Sequence, residues 1–350
     1  MSSCPQAEGC PASCGVCLTD TILDMVWPKR KPVKQFLYIV EQNNTDLKLY
    51  DVIIIGGGPA GMSAALILAR SRRNILIFDT GKQRNRMSDA MHGYLTRDGV
   101  SPAEFLKIAR HELTCYDVEV QEVEIDFAEK TEDYFLVTDR NDQKYKCRKL
   151  LLATGLTDNI PDIEGIHDFY GKSVHHCPYC DGWEKRDKRI VVYGRGNAGH
   201  ALSITMLNWT NNVILCTDGG KKPRQSQLAE LKKRNVEIYT GKIDRLEGEN
   251  GQLQKVHLCN GYTIDCNGMF FTNGYAQHSV LGRSLNCHYN MKNEIRVNHV
   301  QESSVEGLYV SGDAAHEMKL VIIAAGEGAK AAVAINVKLI EEDNARLLNS

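Results

Sequence analysis

Two cysteines two residues apart, Cys177-Pro-Tyr-Cys180, hold the most reactive chemistry in this sequence. That spacing allows a local disulfide and often lowers the pKa of one thiol. No apolar stretch at the N-terminus has the form of a secretory leader, so a reducing, cytoplasmic setting is expected. There the pair reads as redox-active. Zinc is the rival reading, because His175 and His176 precede the pair and zinc takes such ligands. Their adjacency makes a single tetrahedral site awkward. The remaining alternative is two core cysteines. Asp181 follows directly, either as a carboxylic acid that moves a proton to or from a thiolate or as an ordinary turn or helix-cap aspartate.

The elements that must position this pair show a repeated plan. Asp51–Ile55 is a β-branched strand running into Gly56-Gly-Gly58-Pro59-Ala60-Gly61 and an apolar helix, Met62–Ala69. The next strand, Ile75–Phe78, ends in Asp79. This is the context of a dinucleotide fingerprint. Gly56 permits the tight turn, Gly58 lets a pyrophosphate approach, Gly61 lets helix and strand pack, and Asp79 would hold ribose hydroxyls. The helix N-terminus adds free N–H groups and partial positive charge. The alternative is a glycine-rich turn without a ligand.

The plan returns at Arg189–Tyr193, with Gly194-Arg-Gly196-Asn-Ala-Gly199, a helix over His200–Leu207 and a strand over Val213–Leu215. Its acid, Asp218, would favour NADH by repelling a 2′-phosphate. Lys221, Lys222 and Arg224 could instead bind that phosphate, as in NADPH. Arg195 puts bulk inside the turn, so a domain that has lost its nucleotide is the other reading. Late in the chain, Gly307-Leu-Tyr-Val-Ser-Gly312-Asp313 is a strand whose end would point a carboxylate toward a ligand.

A length of 350 residues suggests about two domains. Strands alternate with helices, the pattern of an α/β protein with parallel sheets. The expectation is two Rossmann-like dinucleotide-binding domains. Between the copies lie a helix around Pro102–Leu113 and antiparallel-looking segments, Val118–Ile125 and Tyr134–Thr138. Further alternating segments are Val236–Tyr239 and Lys255–Leu258. Val321–Val337 reads as a buried helix that could pack back on the first domain. A net charge of −2 offers no electrostatic drive toward nucleic acid or a membrane surface. No apolar run approaches the roughly 20 residues of a membrane span.

The chain has twelve cysteines. Cys4, Cys10, Cys14 and Cys17 lie in an N-terminal extension, residues 1–45, and are either ligands for a metal or cluster or reactive thiols on a tail. Lys29–Lys31 within it reads as a solvated linker. Cys115, Cys147, Cys216, Cys259, Cys266 and Cys287 read as packing residues.

Taken together, the motifs resemble the low-molecular-weight thioredoxin reductases and their flavoprotein relatives. The resemblance covers about residues 50–340 and includes Ala153-Thr-Gly155, Pro161-x-Ile-x-Gly165, both glycine turns, Cys177-x-x-Cys180-Asp181-Gly182, Gly312-Asp313 and Ala324-Ala-Gly-Glu-Gly328. It implies FAD as cofactor, bound by a domain made of residues 46–165 and 290–350. An inserted domain, 166–289, would take NADPH or NADH and carry the redox pair. By the same resemblance Cys180 is the thiol nearest the flavin, Cys177 attacks the substrate disulfide, Asp181 is the general acid, and Asp313 meets the ribityl chain. The implied substrate is a thioredoxin-like protein or a small disulfide or dithiol, and the implied assembly a homodimer whose inserted domain rotates.

Two positions depart from that pattern. Thr217, Asp218 and Gly219 stand where NADPH-preferring members carry His-Arg-Arg, and Lys319-Leu320 stands where Arg-Gln is usual. Arg84-Asn85 and His92-Gly-Tyr-Leu-Thr-Arg-Asp-Gly99 look like the branch of FAD-dependent dithiol oxidases, which pass electrons to oxygen. A further relative takes electrons from ferredoxin.

Overall fold

The structure, a computed structural model, describes residues 47–315 and 318–349. Cys4, Cys10, Cys14 and Cys17 and the Lys29–Lys31 run lie outside the described residues. β1 (Leu49–Ile55) buries Val52, Ile53 and Ile54 completely. Both faces of this sheet are covered, so its strands run apolar without alternation. α1 (Pro59–Arg70) opens on a proline, whose missing N–H costs nothing in a first turn. β2 (Ile75–Phe78) pairs parallel to β1.

α2 (Pro102–Thr114) is capped by the Ser101 side chain, which accepts from the Glu104 amide at 3.2 Å. β3 (Glu119–Gln121) then pairs parallel to β2, so the antiparallel reading of Val118–Ile125 is corrected. The physical reason is the crossover helix: a strand returned by α2 enters the sheet in the same direction as β2. β4 (Ile125–Lys130), β5 (Phe135–Asp139) and β6 (Lys144–Leu152) form an antiparallel meander, and β6 lies parallel to β1.

The chain then leaves this sheet. β7 (Leu156–Asp158) leads through α3 (Ile166–Phe169) to β8 (Val174–His175) and α4 (Pro178–Asp181). β9 (Ile190–Tyr193), α5 (Gly196–Met206), β10 (Val213–Cys216), α6 (Gln225–Lys233) and β11 (Glu237–Tyr239) repeat the first unit. β12 (Ile243–Glu249), β13 (Gln252–Leu258) and β14 (Thr263–Asp265) form an antiparallel layer, and β15 (Gly268–Phe271) completes a parallel sheet ordered β11-β10-β9-β15-β8. β16 (Tyr275–Gln277) pairs with β7 on the way back. After α7 (Leu281–Ser284), β17 (Leu308–Val310) rejoins the first sheet beside β6. The architecture is α/β with two Rossmann-type domains, the second inserted into the first.

The last helix, α8 (Val321–Asn349), packs on α1. A side chain at Gly328 would put its Cβ 1.9 Å from the Ala60 carbonyl oxygen, so the two helices meet backbone to backbone. The helix is longer than the apolar run and is buried on one side only. Ala331, Ile335 and Leu339 face the core, while Val333, Val337 and Ile340 are exposed. The cysteines divide similarly. Cys147, Cys216, Cys266 and Cys287 are buried packing residues, whereas Cys115 and Cys259 are exposed. Those two sit just past the ends of α2 and β13, where side chains turn outward. Among the described residues no helix is long and apolar enough to cross a membrane.

Candidate active site

The first glycine turn is shaped by close approach. Gly56 has φ +112°, and a Cβ there would lie 2.2 Å from the Ala153 carbonyl oxygen. Gly58 is the opposite case, with nothing within 4 Å of a Cβ position, because it faces a cavity. Asp79, at the end of β2, is almost fully buried. It accepts from the Gly57 amide at 3.2 Å, from Gln83 Nε2 at 3.1 Å and from Arg110 Nη2 at 2.8 Å. The acid therefore braces the turn as well as lining the cavity.

That cavity has a volume of about 360 Å³. Gly56, Gly58, Pro59 and Ala60 line it at the turn, with Asp79 beside them. Gly155, Gly312 and Asp313 line it from the ends of β6 and β17. Cys180 and Asp181 line it from α4. Gly61 is buried between helix and strand instead, and Cys177, Gly194, Gly196 and Gly199 are elsewhere. An open cradle at a helix N-terminus, continuous with a redox pair, fits FAD.

Cys177 and Cys180 form a disulfide. Cys177 caps α4, and its Sγ accepts from the Cys180 amide at 3.2 Å. No group of three or more His, Cys, Asp or Glu among the described residues could hold a metal ion. Asp181 Oδ1 lies 3.2 Å from His175 Nδ1. Burial, helped by the charge of Glu184, pushes the Asp181 carboxyl up to about 7. Burial pulls His175 down to about 3, so its imidazole is neutral. Asp181 is thus a carboxyl near half-protonation at neutral pH, next in the chain to a cysteine that lines the same cavity.

A second cluster joins residues that the sequence does not pair. Arg84 Nη1 donates to Asp313 at 2.8 Å, and its Nε and Nη2 donate to the two Asp158 oxygens at 2.9 and 2.5 Å. Tyr170 donates to Asp158 at 2.9 Å, and His176 Nδ1 lies 3.6 Å from the same carboxylate. Burial raises the Asp158 carboxyl, but the Arg84 hydrogen bond and its neighbours outweigh this and hold it below the usual range. Lys319 donates to Glu294 and to the Asp313 carbonyl, each at 2.8 Å. Asp313 is therefore fixed from two sides. Its partners lie far away in the chain, and only the Arg84-Asn85 resemblance drew notice to that loop.

The second glycine turn keeps its helix–strand packing, with a Cβ on Gly199 falling 2.4 Å from the Gly194 carbonyl oxygen. Its acid is already engaged. Asp218 accepts from Arg195 Nη2 at 2.8 Å, from the Tyr193 hydroxyl at 3.1 Å and from the Ile243 amide at 2.9 Å.

Residues 50–328 match the pyridine nucleotide-disulphide oxidoreductase family. The chain is 34% identical to a probable thioredoxin reductase of Arthroderma benhamiae, over 84% of this chain and 81% of that one. It is 28% identical to the thioredoxin reductase aclD of Aspergillus oryzae, over 85% and 99%. Among solved structures, a putative thioredoxin reductase TrxB from Bacillus anthracis superposes with a TM-score of 0.79 at 33% identity, covering 84% of this chain and 99% of that one. The cofactors of this family are FAD and NAD(P)H. The chain belongs to the pyridine nucleotide-disulphide oxidoreductases, as a thioredoxin reductase-like FAD-dependent oxidoreductase.

Proposed function

We propose that this enzyme passes electrons from NADPH or NADH, through FAD and the Cys177–Cys180 pair, to a thioredoxin-like protein or a small disulfide. The observation that supports it best is one cavity lined both by the Gly56–Ala60 turn and by Cys180 and Asp181. FAD, when bound, supplies the two-electron relay between the nicotinamide and the disulfide. In this reading Gly56, Gly58, Pro59 and Ala60 cradle its pyrophosphate, Gly61 lets the helix pack close enough to present them, and Asp79 faces a ribose. Gly155, Gly312 and Asp313 hold its remainder. Residues 46–165 and 290–350 make this domain. Residues 166–289 carry the redox pair and the second turn, where Gly194, Gly196 and Gly199 meet the nicotinamide nucleotide.

Cys180 is the flavin-facing sulfur, because it lines the cavity and Cys177 does not. Two electrons open the S–S bond, Asp181 gives a proton to the Cys180 sulfur, and Cys177 is left as the thiolate. The Cys180 amide on Cys177 Sγ favours a thiolate there. That thiolate attacks the substrate disulfide, forms a mixed disulfide and expels one substrate thiolate. Cys180 then returns its proton to Asp181, attacks the Cys177 sulfur, expels the second substrate sulfur as a thiolate and closes the internal disulfide.

We also propose a homodimer, for which exposed Val333, Val337 and Ile340 on α8 offer an apolar face. Light scattering of the holoprotein tests this, and a monomer mass refutes it. A second reading, a dithiol oxidase, draws support from the engaged Asp218. It runs the exchange backward, so that dithiol loses two electrons and two protons and oxygen accepts them as peroxide. Anaerobic mixing of the FAD-loaded protein with NADPH and with NADH separates the two. Bleaching by either supports the reductase. Absence of bleaching, with peroxide formed from dithiols alone in air, supports the oxidase.

A further inference from the structure

The two glycine turns differ in what lies on them. At the first, the Gly58 position opens into a cavity. At the second, the Gly196 amide donates to the Lys221 carbonyl at 2.6 Å. That amide belongs to the first turn of α5, where N–H groups have no intrahelical partner and are the ones a phosphate takes. A single N–H cannot serve both the Lys221 carbonyl and a pyrophosphate oxygen.

The loop that supplies this carbonyl follows β10 and folds back over the turn. Asp218 and Gly219 take φ +50° and +69°, and the Gly220 amide closes the bend on the Thr217 carbonyl at 2.8 Å. Gly220 lies against the stem of Arg195: a Cβ there would sit 2.4 Å from Cδ and Nε. The Arg195 guanidinium then reaches Asp218 at 2.8 Å, tying the turn to the loop. Both carboxylate oxygens of Asp218 are occupied, one by Arg195 and Tyr193 and the other by the Ile243 amide. A ribose hydroxyl would have to displace one of these donors.

We propose that residues 217–222 form a latch over the nicotinamide-nucleotide cleft, closed by Arg195 on Asp218 and by Lys221 on Gly196, and that the nucleotide enters only when this loop is displaced. This rests on the reading of the second turn as the nicotinamide-nucleotide site. The latch is of a kind that can open. The Arg195 side chain is half exposed, and such ion pairs contribute little. Two adjacent glycines, Gly219 and Gly220, give the loop freedom to swing. While the closed form dominates, observed affinity falls in proportion to the open fraction. Arg195 is thereby a determinant of nucleotide use without being a ligand.

The test compares the FAD-loaded full chain with Arg195→Ala, by equilibrium titration with NADPH and with NADH. Loss of the pair is expected to tighten both nucleotides by roughly five-fold. Backbone amide exchange across 194–199 is expected to be slow at Gly196 in the parent and faster in the variant. Equal or weaker binding in Arg195→Ala, no measurable binding by either protein, or unprotected Gly196 in the parent would each overturn the latch. Asp218→Asn covers the case in which Arg195→Ala loses its fold. A gain for both nucleotides supports the latch, whereas a gain for NADPH alone reports relieved repulsion of the 2′-phosphate and refutes it. Affinity and exchange are read here without turnover, so failure of the latch is distinct from failure of the electron path through the cysteines.

Discussion

Substituting Asp181 by Asn removes the proposed proton donor while preserving its size, and the structure says what the pH profile must then do. Burial and Glu184 lift the carboxyl from 3.8 to about 7. A group titrating there is about nine-tenths protonated near pH 6 and about one-tenth protonated near pH 8. Turnover that needs the acid form therefore falls roughly ten-fold between those values. An ordinary aspartate would be ionised throughout. Steady-state disulfide reduction by the holoenzyme, followed from about pH 5.5 to 9, reads this directly. Asp181→Asn should lower the acid plateau by roughly 10²-fold and abolish the alkaline limb. Glu184→Gln removes the second cause of the shift, so it should keep the plateau and move the limb to lower pH. An unchanged limb in Asp181→Asn would refute the assignment, and a limb moving upward in Glu184→Gln would refute its electrostatic cause.

Three other outcomes follow from contacts already described. Cys177→Ser should lower disulfide turnover at least about 10³-fold without loss of bound FAD, because in the proposed cycle exchange with the substrate starts at that sulfur; retained turnover contradicts it. Arg84→Met leaves Asp158 buried without its bidentate partner, a loss of about 3–5 kcal/mol in denaturant titration of the holoprotein, and a loss below about 1 kcal/mol would refute the pairing. Gly328→Val drives a side chain into the Ala60 carbonyl and should cost about 2–4 kcal/mol, seen as a lower Tm.

Legibility tracked the range of the interaction. The βαβ units are legible because strand, glycine turn, helix and acid follow one another within about 30 residues. The insertion is legible only through the family resemblance, since no local signal says that β17 returns to β6. The parallel set of β3 was missed because a three-residue strand shows no clear pattern, and the crossover by α2 decides its direction. Asp181 and the cysteines stood out by spacing, but the His175 contact arises where β8 meets α4. Asp158 and Asp313 lie 74 and 229 positions after Arg84 along the chain. The sequence singles out Asp313 and Arg84 separately, but nothing in it pairs them or points to Asp158 as their link. Half of the proposed latch over Gly196 is legible: Arg195 reads as bulk in the turn, while the Lys221 carbonyl is a backbone group that no side-chain pattern reveals.

The central claim is that electrons pass between the flavin and the outside through Cys180. Anaerobic addition of dithiothreitol to the FAD-loaded protein and to its Cys180→Ser variant tests this most directly, because it bypasses any nicotinamide nucleotide. The account predicts that the flavin of the parent bleaches and that of Cys180→Ser does not. Bleaching of the variant at the parent rate would contradict it.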